Sequence, residues 1–510
     1  MWDKIIAVIE KVNSAINGVV WGWPMIILII GTGLLLTIRT KALQVRKFGD
    51  SVKSTIVPTI KSIGKKEKKD KKENSISQFE AFCSAISGTV GTGNIIGTTS
   101  AILGGGPGAV FWMWISAFFG MVTNYGENVL GLYYRKKDKK GSFSGGAFWY
   151  IDKGLGWKWL GYIAAVFCMI AAVGMSGVQT NKISSTIAGS LNVAMDPTTV
   201  KLIIGIIVAV ITALVIIGGI KRIGKVASIL VPFMTIIFLI LAITGIFMNV
   251  TAIPEAFSLI FKNIFSFKAA AGGIAGYAFA KVIQKGMARG VFSNEAGLGS
   301  SVIAHSASET REPVKQGLWG VFEVFLDTFV ICTITALVVL TTNVANGELY
   351  NAMAQFQAGV NDVDTDLVLS TFSSNFGTFG TVCFCVILPL FAFTTIIAWS
   401  YYGEKATEYC FQGLKEKGQK ISVLVFKIIF VLLIVASAVI HGELIWDIDD
   451  TFNGLMALPN LVAVILLSGT IVKLTKNYYD RKKGLDVKPM LSAYEEQNEE
   501  FIKDIENGMN

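Results

Sequence analysis

The chain has 510 residues, of which 52% are hydrophobic and 16% charged, with a formal net charge of +9. A soluble protein of this size would carry about 25% charged residues, so the composition excludes an ordinary soluble enzyme and indicates a membrane protein. The basic residues lie in short stretches between apolar runs, as in the cytoplasmic loops of membrane proteins, so we expect no nucleic-acid partner.

Residues 1–19 interleave isoleucine and valine with charged side chains, which predicts an amphipathic helix on the outer surface of the membrane. Asp3 and Glu10, together with the lack of a small-residue cleavage site, argue against a cleaved signal peptide. Eleven apolar runs long enough to cross a bilayer follow. They lie near 20–38, 79–103, 108–133, 158–180, 201–219, 226–248, 271–306, 317–341, 378–402, 422–440 and 452–474.

The charges of the loops predict the orientation of these spans. Lys and Arg concentrate in alternate connections, namely 39–78, 135–140, 221–222, 311–315, 405–420 and the tail 475–510. The stretches 348–366 and 443–450 contain neither residue type and are expected outside. By the positive-inside rule the N-terminus lies outside and the C-terminus in the cytoplasm of a multi-pass cell-membrane protein. The charged segments 61–74 and 495–510 are expected to be mobile.

The spans that follow the first one divide into two sets of five, 79–248 and 271–474, separated by an outer loop at 249–270. Because five is odd, the second set lies inverted relative to the first, as in inverted-repeat transporters. The predicted fold class is therefore an all-α polytopic membrane protein with a five-plus-five inverted repeat, one additional N-terminal span and eleven transmembrane helices.

The first span of each set is interrupted by a polar, glycine-rich segment. Residues 87–97 contain four glycines and two threonines, and residues 289–301 form the corresponding break in the second set. Unpaired backbone at membrane depth is tolerated where it lines a cavity or is buried in protein, so paired breaks indicate a binding site. Carbonyls that end the first half-helix suit a cation, and amides that begin the next suit a carboxylate. The alternative is that the glycines only permit close helix packing.

Five sequence blocks resemble the alanine/glycine:cation symporter family of bacteria and archaea. They are 91–95 (GTGNI), 104–114 (GGGPGAVFWMW), 291–300 (VFSNEAGLGS), 399–404 (WSYYGE) and 453–460 (NGLMALPN). The resemblance covers nearly the whole chain. It implies a LeuT-like fold of the APC superfamily and sodium-driven uptake of small amino acids, alanine or glycine.

Thr394 and Thr395 are adjacent hydroxyls in an apolar span. Sodium is a hard cation that prefers oxygen ligands, so this pair and carbonyls of the first break form a suitable cage, by analogy with calcium. In folds that the chain resembles, such a pair completes a sodium site with the first broken helix. The predicted sodium ligands are Ser87, Val90, Asn94, Phe391, Thr394 and Thr395. The alternative is that each hydroxyl bonds back to its own helix.

The same breaks predict how a zwitterionic amino acid would bind. Its carboxylate would lie on the amides at the start of the second half-helix, and its ammonium group on oxygens of the second break. The predicted substrate residues are Thr92, Gly93, Asn94, Gln179, Phe292, Ser293, Asn294, Thr395 and Trp399. Trp399 would exclude larger side chains or serve only in packing, and Gln179 would reach the ligand or lie at a loop-facing helix end.

Acidic residues inside apolar spans are candidates for gates or ion pairs because burying them is costly. Glu127 is expected to snorkel toward the cytoplasmic face near Arg135. Glu323 and Asp327 are one turn apart, and are expected to pair with a basic residue or to contribute to a cation path. The basic candidates are Lys281, Lys285 and Arg289. Glu295 would latch the second break to a basic partner or bind the coupling ion.

Nothing in the sequence indicates an enzyme. No nucleotide-binding loop or hydrolase nucleophile motif is present, the six cysteines show no metal-type spacing, and two histidines make a metal site or proton relay improbable. We therefore predict a symporter of alanine or glycine, with Na⁺ as coupling ion, no other cofactor, membrane lipid around it and no obligate protein partner. A proton-coupled symporter and an ion or solute channel remain alternatives; a membrane enzyme is disfavoured.

Overall fold

The computed structural model describes residues 2–62, 75–137, 141–190, 195–265, 275–360, 362–440 and 442–507. The lysine-rich middle of the predicted basic loop and the end of the predicted outer loop 249–270 lie outside these ranges. The regular structure of the described chain is helical apart from one antiparallel strand pair, β1 (Lys136–Lys137) with β2 (Phe143–Ser144), and an isolated bridge between Ile76 and Ser308.

The helices are α1 (Trp2–Val20), α2 (Trp23–Arg39), α3 (Leu43–Arg46), α4 (Phe48–Ser62), α5 (Gln78–Thr89), α6 (Thr98–Gly105), α7 (Ala109–Tyr133), α8 (Ala147–Leu155), α9 (Lys158–Ser190), α10 (Pro197–Ile216), α11 (Gly219–Met248), α12 (Ile253–Lys262), α13 (Ala275–Asn294), α14 (Ser301–Ser306), α15 (Pro313–Val324), α16 (Thr333–Ala345), α17 (Leu349–Gln357), α18 (Val363–Cys410), α19 (Glu416–Ser437), α20 (Gly442–Leu466), α21 (Ser468–Lys482) and α22 (Glu495–Glu506). Two π-helical segments, Gly93–Gly97 and Phe325–Cys332, and a 3₁₀ turn, Val250–Ala252, complete the order.

Seven helical stretches in the described ranges are long and apolar enough to cross a membrane. An eighth forms if Leu444–Leu466 and Ser468–Lys482, which are bent by 59° at their junction, count as one span. The predicted run 79–103 corresponds to α5 with α6, the run 108–133 to α7, and the run 271–306 to α13 with α14. None of these helices is among the seven stretches. The protein is thus a multi-pass helical membrane protein, while the count of eleven and the inverted repeat remain predictions.

The first predicted break separates α5 from α6. A capping box of Ser77 and Glu80 begins α5, and helical geometry ends at Val90, which has φ −86° and ψ 86°. The chain then re-enters a helix through the π segment Gly93–Gly97, a form that is frequent at functional sites. Gly91 is required here because a Cβ atom would collide with Oγ1 of Thr395.

The second predicted break is shorter than the sequence pattern suggested. Helix α13 continues to Asn294, and α14 begins at Ser301. Between them Glu295 has a φ of +54°, which a residue with a side chain rarely adopts. Gly297 and Gly299 also have positive φ values, of +93° and +74°, so the turn depends on their glycine geometry.

Helices α9 and α18 pack against each other, and α18 also contacts α5, the π segment Gly93–Gly97 and α14 on either side of the breaks. Their facing side chains belong to a large apolar cluster that also receives α5, α7, α13 and α20. Burial of this shared core fixes the interrupted segments between continuous helices, so the broken backbone is surrounded by protein.

Two expectations about the end of the chain are wrong. The stretch 443–450, expected as an outer loop, lies within α20. The tail, expected to be mobile, forms α22, which is docked on the rest of the protein. The fully buried Phe501 packs against Phe143 with ring centroids 5.9 Å apart, and Asp504 pairs with Arg311 at 2.9 Å. A buried aromatic ring and ion pairs to Arg311 and Lys137 thus hold a helix that is otherwise highly charged.

Candidate functional site

The two breaks meet at the centre of the helix bundle. A Cβ atom on Gly93 would lie 3.2 Å from the ring of Phe292, so the first break packs directly on the end of α13. The hydroxyl of Thr395 on α18 lies against the backbone at Gly91. The structure therefore brings together side chains from both breaks and α18, as predicted from their glycine and threonine patterns.

The predicted sodium ligands group around Thr395. Its Oγ1 lies 3.0 Å from the carbonyl oxygen of Ser87 and 3.1 Å from that of Phe391, and Oγ1 of Thr394 lies 2.9 Å from the same Phe391 oxygen. Both hydroxyls thus bond back to their own helix, as the alternative held, but Thr395 also reaches across to α5. Val90 is fully buried at the point where α5 ends.

Asn94 belongs to a second polar group. Its Oδ1 accepts the backbone N–H of Gly91 at 2.9 Å, and its Nδ2 donates to Oδ1 of Asp327 at 2.5 Å. The other oxygen of Asp327 accepts hydrogen bonds from the hydroxyls of Ser293 at 2.9 Å and Thr328 at 2.8 Å. One buried carboxylate thereby joins the first break, the second break and the π segment Phe325–Cys332.

Asn294 continues this group, since its Nδ2 donates to Thr328 Oγ1 at 3.1 Å. The expectation that Asp327 pairs with a lysine or arginine is wrong, because hydroxyl and amide donors surround it in the structure. An ionised carboxylate can only accept hydrogen bonds, and these three donors satisfy that requirement without a basic residue.

Gln179 lies within α9 and is fully buried, so its placement at a loop-facing helix end is wrong. Its Oε1 accepts the backbone N–H of Thr92 at 3.1 Å. This amide is one of those predicted to hold a substrate carboxylate. A neutral carboxamide oxygen therefore occupies the donor that an anion would use.

Trp399 and Glu295 are bonded to each other. The indole Nε1 donates to Glu295 Oε1 at 2.9 Å, and Ser300 Oγ donates to Glu295 Oε2 at 2.5 Å. The expectation that Glu295 pairs with a basic residue is wrong for the described chain, where Trp399 and Ser300 donate hydrogen bonds to its carboxylate. Trp399 is fully buried and also packs edge-on against Tyr402, with ring centroids 5.3 Å apart. The tryptophan thus fixes the strained turn at Glu295.

Glu127 does not snorkel toward the cytoplasm. It is buried, and its carboxylate accepts hydrogen bonds from Gly297 N at 3.2 Å and from the side-chain amide of Asn460. Asn460 also donates to Gly297 O at 2.8 Å. The expectation was wrong because distance in sequence from Arg135 did not reveal that the second break lies beside α7.

Glu323 has a histidine partner instead of the expected lysine or arginine. His305 Nε2 lies 2.6 Å from Glu323 Oε2, and Gln316 Nε2 lies 2.7 Å from His305 Nδ1. The expected candidate Arg289 instead pairs with Asp450 at 2.9 Å. The sequence signal for His305 was its position inside an apolar run, where a histidine is unusual.

A cluster of four side chains, Arg289, Phe292, Trp446 and Asp450, was not predicted from the sequence. Phe292 stacks on Trp446 of α20 with ring centroids 5.4 Å apart, and the Arg289–Asp450 pair lies beside this stack. The guanidinium carbon of Arg289 is 5.0 Å from the ring centroid of Trp446. This cluster was not predicted because 443–450 was interpreted as a loop, although the sequence has a tryptophan and four acidic residues in that stretch.

Comparisons with known proteins agree with the fold and with the family resemblance. The pattern of the sodium:alanine symporter family matches residues 6–491. The sodium/alanine symporter AgcS of Methanococcus maripaludis is 38% identical over 481 residues, which cover 93% of this chain and 98% of that protein. The probable sodium/glutamine symporter GlnT of Bacillus subtilis is 35% identical over 478 residues, 94% of this chain and 92% of that protein.

A solved structure of MhsT in complex with L-phenylalanine has a similar fold. The superposition has a TM-score of 0.54 and 14% sequence identity, and covers 79% of this chain and 98% of that one. At this identity the likeness concerns the fold alone.

Proposed function

Because the chain belongs to the sodium:alanine symporter family, we propose that it imports small neutral amino acids, alanine and glycine, together with sodium by alternating access. The membrane would be the cell membrane, with the N-terminus outside and the C-terminus in the cytoplasm. The observation that carries the proposal is the contact between Thr395 of α18 and the Ser87 carbonyl of α5, 3.0 Å apart.

This contact supports a sodium site because it gathers oxygen ligands from two different helices. The Thr395 hydroxyl bonds Ser87 O and Phe391 O, and the Thr394 hydroxyl bonds the same Phe391 O, so these four oxygens are linked by hydrogen bonds. Sodium prefers such oxygens, and Val90 contributes a further carbonyl where the helix ends. A cation here would replace the hydrogen bonds of the threonines and hold α18 against the first break.

Gln179 supports a carboxylate site on the first break. Its side-chain oxygen accepts the Thr92 N–H, so this donor is oriented toward an acceptor, and the start of the following helix favours an anion. A substrate carboxylate would take the place of the carboxamide oxygen. Gly93 and Asn94 would offer neighbouring amides, and Ser293 and Asn294 would supply oxygens near the ammonium group.

Trp399 supports a preference for small side chains. Its ring is fully buried beside the second break and is held in one orientation by Glu295. A fixed indole leaves little room for a branched side chain. The names of the relatives include both alanine and glutamine. In this chain, the space left beside the Trp399 ring would decide whether a small or a larger substrate side chain fits.

A sodium gradient is sufficient for concentrative uptake. One sodium ion crossing 100 mV releases about 2.3 kcal/mol, and a tenfold sodium gradient adds about 1.4 kcal/mol. Together these would support an alanine accumulation of several hundred-fold. Proton coupling and channel-like flux are the competing functions; the first predicts no sodium requirement and the second predicts no accumulation.

The proposal is tested by coupled binding to the purified protein. Linkage requires that sodium and alanine increase each other's affinity by the same factor if they bind as partners. We expect alanine to bind more tightly in sodium chloride than in choline chloride at equal ionic strength. Alanine affinity that is the same in both salts would contradict sodium coupling.

A further inference from the structure

We propose that Asp449 and Asn453 of α20 form a cation site that completes the transport site. The ligand would be a monovalent cation, either the α-ammonium group of the substrate or a coupling ion. This inference rests on the proposed function and adds to it two residues that were not among the predicted ligands.

The position of the pair on α20 is the first argument. Trp446, Asp449, Asp450 and Asn453 follow the spacing i, i+3, i+4 and i+7, so they lie along one face of the helix. Trp446 stacks on Phe292, and Asp450 bonds Arg289. This face therefore borders the second break.

The lack of partners for these side chains is the second argument. Asp449 and Asn453 are both fully buried. In the described part of the chain, no atom of the Asp449 carboxylate or of the Asn453 amide makes a hydrogen bond of ordinary length and angle, although the two side chains lie next to each other. The neighbouring Asp450, by contrast, has the guanidinium of Arg289. A buried carboxylate without a well-placed donor is costly, and nearly all buried polar groups are bonded.

The opposing helix leaves room for the carboxylate. A Cβ atom on Gly174 of α9 would lie 2.8 Å from Asp449 Oδ1, and one on Gly177 would lie 3.1 Å from Ile445. These glycines let α9 approach α20 closely. Helix α9 also carries Gln179, which bonds the first break. Asp449 thus faces the helix that contacts the predicted carboxylate site.

The chemistry of the pair selects a singly charged cation. A carboxylate is an acceptor, and an amide offers one more acceptor oxygen. No group of three or more His, Cys, Asp or Glu that could hold a metal ion occurs in the described ranges, which disfavours a divalent ion. An ammonium group or an alkali ion matches one carboxylate and one carbonyl oxygen.

The test compares Asp449→Asn with the matched control Asp447→Asn in proteoliposomes. Asp447 lies in the same turn of α20, but its side chain is exposed. The readouts are the KM for alanine, the sodium concentration for half-maximal uptake, and protein recovery. Wild-type protein that takes up no alanine with sodium would reject the proposed function itself, so the two failures are distinguishable.

We expect Asp449→Asn to raise one of these constants at least tenfold and Asp447→Asn to leave both within twofold. A raised alanine KM with unchanged sodium dependence identifies the ammonium group; a raised sodium constant with unchanged alanine KM identifies the coupling ion. Both constants within twofold of wild type in the Asp449→Asn protein would overturn the proposal.

If Asp449→Asn is not recovered folded, Gly174→Ala becomes the deciding variant. It keeps the carboxylate and places a methyl group against it. We expect either the alanine KM or the sodium concentration for half-maximal uptake to rise, by a smaller factor than tenfold, and uptake constants equal to wild type would overturn the proposal.

Discussion

Nδ2 of Asn94 lies 2.5 Å from Oδ1 of Asp327, and this bond ties the first broken helix to the π segment Phe325–Cys332. The second oxygen of Asp327 holds Ser293, at the end of α13. One carboxylate therefore bonds a residue of each break. Any movement that separates the breaks during transport must exchange at least one of these hydrogen bonds.

Replacement of Asp327 by asparagine should impair transport more than it impairs insertion. The amide would place N–H groups against donors that now meet a carboxylate, and a hydrogen bond to a charged group contributes about 1.5–3 kcal/mol. We expect initial alanine uptake to fall at least tenfold. Asp366→Asn, at an exposed position near the start of α18, should be close to wild type. Normal uptake by Asp327→Asn would show that the link between the breaks is dispensable.

Thr395 should matter more for sodium than Thr394, because Thr395 alone of the two has a hydrogen bond to Ser87 O. Thr395→Ala should raise the sodium concentration for half-maximal uptake by about fivefold, which corresponds to about 1 kcal/mol of lost binding. Thr395→Ser keeps the hydroxyl and should remain near wild type. The double variant Thr394→Ala with Thr395→Ala should show the largest change. Unchanged sodium dependence in the double variant would place the sodium site elsewhere, and Asn94 would be tested next.

Trp399 has two separable roles, in a hydrogen bond and in bulk. Trp399→Phe removes the bond to Glu295 but keeps a ring, whereas Trp399→Ala removes both. A pocket rejects an extra methylene by about 1–3 kcal/mol. We expect valine and leucine to compete with alanine in Trp399→Ala and to compete poorly in Trp399→Phe. A folded Trp399→Ala protein with the wild-type competition profile would show that Trp399 does not wall the pocket.

The orientation can be tested by labelling single cysteines in a cysteine-free background. Glu348 and Lys417 have exposed side chains in connections of opposite predicted sides. A cysteine at Glu348 should react with an impermeant reagent from outside the cell, and one at Lys417 only after the membrane is permeabilised. The reverse pattern would refute the predicted orientation.

Phe501→Ala should release the C-terminal helix α22. The ring is fully buried against Phe143, and loss of a buried phenylalanine costs about 3–5 kcal/mol. Limited proteolysis should cleave this variant in the tail faster than wild type. Glu499→Ala, on the exposed side of the same helix, is the matched control and should behave like wild type. Equal cleavage of all three proteins would show that Phe501 does not hold the helix.

The sequence predicted the two interruptions well because glycine and hydroxyl residues in an apolar run have few other uses. Thr395 and Ser87 were placed together in advance, and the structure has them 3.0 Å apart. The interruptions depend on local pattern, which is readable from one chain, whereas the pairing of Thr395 with Ser87 followed from the family resemblance.

The partners of the buried acids could not be predicted because they depend on which helices pack together. Glu127 lies beside Asn460, and Glu323 beside His305. Glu127 was expected to snorkel and Glu323 to pair with lysine or arginine, and both expectations failed because amide, hydroxyl and imidazole groups also satisfy a buried carboxylate. Asp449 was missed because helix α20 begins ten residues earlier than the apolar run at 452.

The most direct test of the central claim is accumulation of labelled alanine in proteoliposomes under an imposed sodium gradient, with a proton gradient and no gradient as comparisons. The account predicts that the inward sodium gradient drives internal alanine well above the external concentration, and that collapsing the gradient returns it to equality. Equal accumulation under a proton gradient without sodium, or alanine entry that never exceeds the external concentration, would contradict sodium-coupled symport.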